Sequence, residues 1–189
     1  MKRYLITDPF FYSSIPHLFA KKLQEVLLEE RVDFVCIRDI ESGDYEALVQ
    51  SANPIIQNSQ AKLIIHRNLA VAKRSRAYGI HLPYMYKTQI QKAKEAGLFV
   101  IASTHTLKEA LHVQDLGADA ITYSPIFDTP NKGKPKGLEK LKEINDKIDI
   151  HCFALGGIIE EEHIQACRKV GVYGFASIRY FLKKVSVYV

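Results

Sequence analysis

The densest collection of chemically useful side chains in this 189-residue chain is the stretch Ser124-Pro125-Ile126-Phe127-Asp128-Thr129-Pro130-Asn131-Lys132-Gly133. It brings a hydroxyl (Thr129), an amide (Asn131) and an ammonium (Lys132) within four residues, between two prolines and a closing glycine. A loop with such donors, lying between a strand-like run and a helix, suits an anion, most simply a phosphate. The plainer reading is a solvated lysine-rich tip, since Lys134 and Lys136 follow. Two later stretches, Ala154-Leu155-Gly156-Gly157-Ile158 and Gly174-Phe175-Ala176-Ser177-Ile178-Arg179, place glycines where backbone N–H groups can approach an anion. The alternative is that these glycines only permit tight chain closure.

Other candidates sit at the ends of apolar runs. Arg38 closes Phe34-Val35-Cys36-Ile37. A guanidinium there is not core filling, and its fork suits a phosphate or carboxylate, unless an ion pair with Asp39 or Asp8 holds it. His66 ends a strand-like run and is a candidate for acid–base work. His81 lies within such a run, where packing explains it. His105 follows Ser103-Thr104, where helix capping is the default, and Ser103 is placed to face a ligand.

These positions make sense only if strands and helices alternate. Strand patterns cover Tyr4–Thr7, Phe34–Arg38, Lys62–His66, Gly79–Leu82, Phe99–Ala102, Ala120–Tyr123, His151–Leu155 and Gly174–Ser177. Helical periodicity fills the gaps: around Leu18–Leu27, then 45–56, 69–76, 88–95, 107–116, 138–147 and 160–170. Alternation of this kind implies right-handed βαβ units on a parallel sheet. Eight units predict a single-domain (β/α)₈ TIM barrel over 1–189, short beside the ~250 residues typical of the class. In such a barrel the loops after the strands make the site, and the glycine-bearing ends of strands seven and eight form a phosphate cup. Gly97, Gly117 and Gly171 fall where helices need a left-handed cap. An open doubly wound sheet is the competing fold, and the lack of GxGxxG after the first strand counts against it.

Composition sets the remaining bounds. The chain is 47% hydrophobic and 25% charged, as in ordinary globular proteins. A net charge of +5 without an arginine-rich arm or a basic run interleaved with aromatics weighs against nucleic acid as a partner. A positive field around a site for anionic small molecules accounts for the balance. Cys36, Cys152 and Cys167 show neither even pairing nor metal-ligand spacing, which fits buried thiols in a reducing cytoplasm. No run approaches the roughly 18 apolar residues of a membrane span, and the first residues lack a signal-peptide core. The expected location is cytoplasmic, with no membrane partner.

Several motifs, in order along nearly the whole chain, resemble the thiamine phosphate synthase and TenI (thiazole tautomerase) superfamily. They are Tyr4–Asp8 (YLITD), Ile37-Arg38, Ser103–Thr106 (STHT), Gly117–Asp119 (GAD), Pro125–Thr129 with Lys132 (PIFDTPNK), Ala154–Ile158 (ALGGI) and the Gly174–Ile178 end. The resemblance implies a (β/α)₈ barrel and, for the synthase, a reaction joining hydroxymethylpyrimidine pyrophosphate to a thiazole phosphate with expulsion of pyrophosphate onto Mg²⁺ and basic residues. It implies thiazole-phosphate contacts at Thr129, Asn131, Lys132, Gly156, Gly157, Gly174 and Ile178. Arg179 stands where the family has serine and would add a cation there.

The pyrophosphate side departs from the family. Its Gln-x-Arg-x-Lys reads Cys36-Ile37-Arg38-Asp39-Ile40, its Asn-Asp reads His66-Arg67, and its His-Leu-Gly-Gln-x-Asp reads His81-Leu82-Pro83-Tyr84-Met85-Tyr86. Mg²⁺ wants hard oxygen ligands, and Arg67 and Tyr86 stand in their place. Leu82-Pro83 is closer to the tautomerase branch, whereas Pro125 occupies that branch's histidine position, as in synthases. The leading expectation is a TenI-like protein binding a thiazole phosphate, with Arg38, His66, Ser103 and Lys132 as catalytic candidates and no metal site. The alternatives are a divergent active synthase, with Mg²⁺ recruited through Asp8, Asp39 or Asp128, and a non-catalytic ligand-binding or regulatory protein. The short final helix expected after strand eight, with the apolar tail 185–189, points to packing beneath the barrel or a homodimer contact.

Overall fold

The computed structural model describes residues 1–39 and 43–182. Eight parallel strands close into a barrel in chain order, the eighth bonded back to the first. They are β1 (Lys2–Ile6), β2 (Phe34–Ile37), β3 (Lys62–His66), β4 (Gly79–Pro83), β5 (Phe99–Thr104), β6 (Ala120–Tyr123), β7 (His151–Leu155) and β8 (Gly174–Ser177). Outside run α1 (Pro9–Tyr12), α2 (Pro16–Glu29), α3 (Tyr45–Asn58), α4 (Leu69–Arg74), α5 (Ile90–Glu95), α6 (Leu107–Asp115), α7 (Gly137–Lys147) and α8 (Glu161–Val170). The barrel predicted from alternation is therefore the one observed. Strands β3, β6, β7 and β8 keep their expected bounds, and the others shift by one or two residues.

Local chemistry explains most boundaries. Asp44, Asn68 and Thr106 each accept a backbone N–H of the following turn, and Glu109 reaches back to the His105 N–H, so α3, α4 and α6 start where side chains cap them. Gly97, Gly117 and Gly171 take φ of 74°, 93° and 87° before β5, β6 and β8, the left-handed geometry expected of them. Two short elements have no periodicity to announce them. One is the single turn α1, capped by Asp8; the other is a 3₁₀ turn, Tyr84–Gln89, ahead of α5. Each follows a strand end closely and has a proline at its start.

Alternate strand residues fill the lumen. Its floor is aromatic: Phe34 stacks on Phe99 at 6.2 Å and meets Phe153 edge-on at 5.8 Å, and Tyr4 lies 5.2 Å from Phe153. Gly174 belongs to this floor. It begins β8, pairs with Lys2 and Phe153, and a Cβ on it would stand 2.6 Å from the Phe153 ring and 2.7 Å from the Lys2 carbonyl. That corrects the phosphate role expected of it: Gly174 is at the end of β8 remote from the site, and its missing side chain makes room for Phe153. Above the floor the lumen turns polar, with His66, His81, Ser103 and Thr122 on neighbouring strands.

After β8 the described chain makes only a 3₁₀ turn, Tyr180–Leu182, with buried Phe181 stacked on Phe175 at 5.8 Å. The expected short final helix and the tail 185–189 lie outside the described residues, as does Ile40. No helix among the described residues is long and apolar enough to cross a membrane.

Candidate active site

The loops following the strands gather into one mouth with two differently built sides. On the first side, Thr7 clamps the end of β2: its Oγ1 accepts from the Arg38 N–H at 2.9 Å and donates to the Arg38 carbonyl at 3.2 Å. The Arg38 guanidinium meets Asp8 at 2.7 Å, so the ion pair weighed against a ligand role is present, with both side chains partly exposed. Tyr45, on α3, reaches over β2 and β3 together. Its hydroxyl donates to the Ile37 carbonyl and accepts from the His66 N–H. Arg67 follows in a left-handed conformation (φ 64°), with its guanidinium 5.0 Å from the Tyr86 ring.

Inward of these cations lie two imidazoles. His66 and His81 face each other with ring centroids 6.0 Å apart. His81 bonds Tyr4 through Nδ1 and Ser103 through Nε2, both at 2.8 Å. Burial pushes His66 down from 6.5 to about 3, with His81, Arg38 and Arg67 adding to it. Burial and then Arg38 push His81 down to about 4. Both rings are therefore neutral at pH 7. A base that weak is a poor match for proton abstraction near neutrality, which corrects the general-base role expected of His66. His105 does not cap α6, since Thr106 does; its Nδ1 lies 3.0 Å from the Ser124 carbonyl.

On the opposite side, the β6–α7 loop is laced to the β7–α8 loop. The Ile126 and Phe127 N–H groups donate to the Leu155 and Gly156 carbonyls, each at 3.0 Å. Gly156 and Gly157 have φ of 97° and 67°; a Cβ would lie 2.7 Å from Pro125 Cα at the first and 2.5 Å from the Asp128 carbonyl at the second. Only glycine permits this approach, and it brings Thr129 against Gly156. Thr129 Oγ1 donates to the Phe127 carbonyl at 2.9 Å. Asn131 (φ 62°) and Lys132 stand exposed at the loop tip, where the Lys132 N–H closes onto the Thr129 carbonyl. Ser177 Oγ donates to the Ile158 carbonyl at 2.7 Å and ties β8 to the same loop, leaving half-buried Ile178 and exposed Arg179 beside it.

The structure thus brings together Thr129, Gly156 and Gly157, and separately Arg38, His66, His81 and Ser103. Tyr4 and Tyr45 are contributors that sequence reasoning missed. Neither has a local motif, and only barrel closure carries Tyr4 to a partner 77 positions away. The carboxylates considered for Mg²⁺ do not converge. Asp8 is engaged by Arg38 and by the α1 cap, Asp39 accepts from Ser14 at 2.6 Å, and Asp128 is exposed on the far loop. Among the described residues no three His, Cys, Asp or Glu side chains could hold a metal ion. The donor set of this mouth does not fit Mg²⁺.

A closed parallel barrel with a glycine-lined loop pair facing a cationic strand end belongs to the phosphate-handling (β/α)₈ proteins. Within them, the chain is a member of the thiamine monophosphate synthase family (TMP-TENI), whose family model matches residues 3–181. It is 34% identical over 185 residues to a protein of Aquifex aeolicus named "Putative thiamine-phosphate synthase 2", covering 95% of this chain and 97% of that one. It is 30% identical to the thiamine-phosphate synthase of Fusobacterium nucleatum, over 94% and 87% of the two chains. A solved thiamine phosphate pyrophosphorylase from Pyrococcus furiosus superposes with a TM-score of 0.80 at 26% identity, covering 94% of this chain and 85% of that one.

Proposed function

We propose that this chain is a thiamine-phosphate synthase, the reading held above as an alternative, in preference to a TenI-like tautomerase. The observation that carries the choice is the pairing of two anion-suited sides across one lumen, in a family whose similar members bear the synthase's name. A tautomerase needs a base in the mouth; His66 is too weakly basic, and Pro125 occupies the turn where that branch has histidine.

In this reading the thiazole phosphate lies against Thr129, Gly156, Gly157, Ile178 and Arg179, with Asn131 and Lys132 closing over it. The pyrimidine pyrophosphate lies on the side of Arg38, Arg67 and Ser103. The methylene C–O bond of the pyrimidine substrate breaks with its electron pair leaving on pyrophosphate, and the thiazole nitrogen lone pair forms the new C–N bond. What the protein must supply is neutralisation of the departing charge. Preorganised donors usually contribute most to lowering the barrier of such a step, and here the two guanidiniums and Lys132 provide them. The donor set of the mouth gives Mg²⁺ no place in it.

The test is incubation with both substrates, followed by chromatography for thiamine phosphate. Product formation is the expected result. A chain that binds thiazole phosphate but forms no product, or isomerises the thiazole alone, would overturn the reading in favour of a binding protein or a tautomerase. A homodimer and a cytoplasmic setting belong to the same proposal.

A further inference from the structure

Beneath the mouth, buried groups that the reaction sketched above does not use stand in line with Ser103. Tyr4 is fully buried, its hydroxyl 2.8 Å from His81 Nδ1, and His81 Nε2 is 2.8 Å from Ser103 Oγ. The Cys36 thiol interacts with the same Tyr4 hydroxyl. The direction of the protons along this line follows from what each atom can accept. A phenol has one proton. Turned to Nδ1 it meets an imidazole lone pair; turned to Cys36 it meets sulfur, a weak acceptor. The remaining ring neighbours, Phe34 and Phe153, offer none.

Tyr4 therefore donates to Nδ1. A neutral imidazole carries a single N–H, which then sits on Nε2 and donates to Ser103 Oγ. Burial keeps His81 in that neutral form. The Ser103 proton is not consumed inside the barrel. Thr122 Oγ1, on the residue paired with Ser103 across β5 and β6, is buried without a hydrogen-bond partner. Ser103 itself is half-buried at the mouth.

We propose that Tyr4 is a positioning residue: by donating to Nδ1 it holds His81 as the Nε2–H tautomer and makes the Ser103 hydroxyl a hydrogen-bond donor facing the mouth. The substrate group that meets Ser103 is then an acceptor, and on the synthase reading, on which this last step rests, it belongs to the pyrimidine pyrophosphate. The opposite polarity would make Ser103 an acceptor or a nucleophile with His81 as its base. Those are different chemistries.

Proton placement is a property of the resting protein and can be tested apart from turnover. ¹⁵N NMR of the histidine-labelled full chain at neutral pH, with His81 assigned through His81→Gln, reports which ring nitrogen carries the proton. A protonated Nε2 with a bare Nδ1 is expected; the reverse overturns the proposal even in an active synthase. Tyr4→Phe removes the donor. The His81 signal should become a mixture of tautomers, and kcat for thiamine phosphate formation should fall by about 10- to 100-fold, the range for losing a group that orients a working imidazole. The KM for thiazole phosphate, held on the other side, should not change. A Tyr4→Phe variant with the tautomer and kcat both unaltered contradicts the assignment. Wild-type protein with the Nε2–H tautomer but no turnover supports the proton placement and counts against the synthase reading alone.

Discussion

His81 carries a cost that should be visible in bulk stability. Its pKa is pushed from 6.5 to about 4, and that of His66 to about 3, so the folded chain binds fewer protons than the unfolded chain between those values. Stability is complete above about pH 6.5 and declines as pH falls toward 4. At roughly 1.4 kcal/mol per pH unit, His81 alone removes about 3 kcal/mol across that window. Urea melts at pH 7 and pH 4.5 read this directly, and His81→Gln should flatten the difference; an unchanged slope would show that His81 is charged or solvated in the folded protein. At the opposite rim, Arg179 is exposed beside the Gly156–Gly157 loop. Arg179→Ala should weaken thiazole phosphate binding by about tenfold, the low end for a hydrogen bond to a charged group. Calorimetry giving equal affinity for the dephosphorylated thiazole would remove the phosphate contact altogether.

At the scale of elements, two glycines that look alike in sequence separate. Gly157→Ala meets both a left-handed backbone and the Phe127–Asp128 segment, so it should push the β6–α7 loop off the β7 end and abolish phosphate binding. Gly174→Ala meets the Phe153 ring at the barrel floor, and overpacking there should cost about 1–3 kcal/mol of stability while phosphate affinity in the folded fraction stays the same. Parallel melts and phosphate titrations of the two variants check the distinction; a Gly174→Ala variant that folds normally but loses phosphate would restore the role read from its motif. The misassignment has a plain cause. A strand's sequence does not say which of its ends a residue occupies relative to the site until the register is known, and Gly174 pairs with Lys2 at the closed end. Periodicity made the strands and most helices legible because every strand buries a continuous apolar run. Arg38, Ser103, Thr129 and the Gly156–Gly157 pair were legible because polar or glycine residues interrupt those runs at their ends. The Tyr4–His81 and Tyr45–His66 bonds were not, since they join positions 77 and 21 apart through closure of the barrel.

At the scale of the molecule, the barrel divides its labour across the lumen: a loop-laced phosphate cup on the β6–β8 side and guanidiniums over a neutral imidazole pair on the β2–β4 side. This division requires the departing pyrophosphate to be neutralised by Arg38 and Arg67 without a carboxylate-held metal. Arg67 stands where the family has a metal carboxylate, and a fixed guanidinium repels a divalent cation from that place. The most direct measurement is the rate of thiamine phosphate formation from both substrates across a Mg²⁺ titration that begins in chelator. Turnover is expected to be at least about 10²-fold below that of an ordinary family member, and flat from chelator to saturating Mg²⁺. A brisk rate that rises and saturates with Mg²⁺ would contradict this, because the mouth would then have to hold the metal after all.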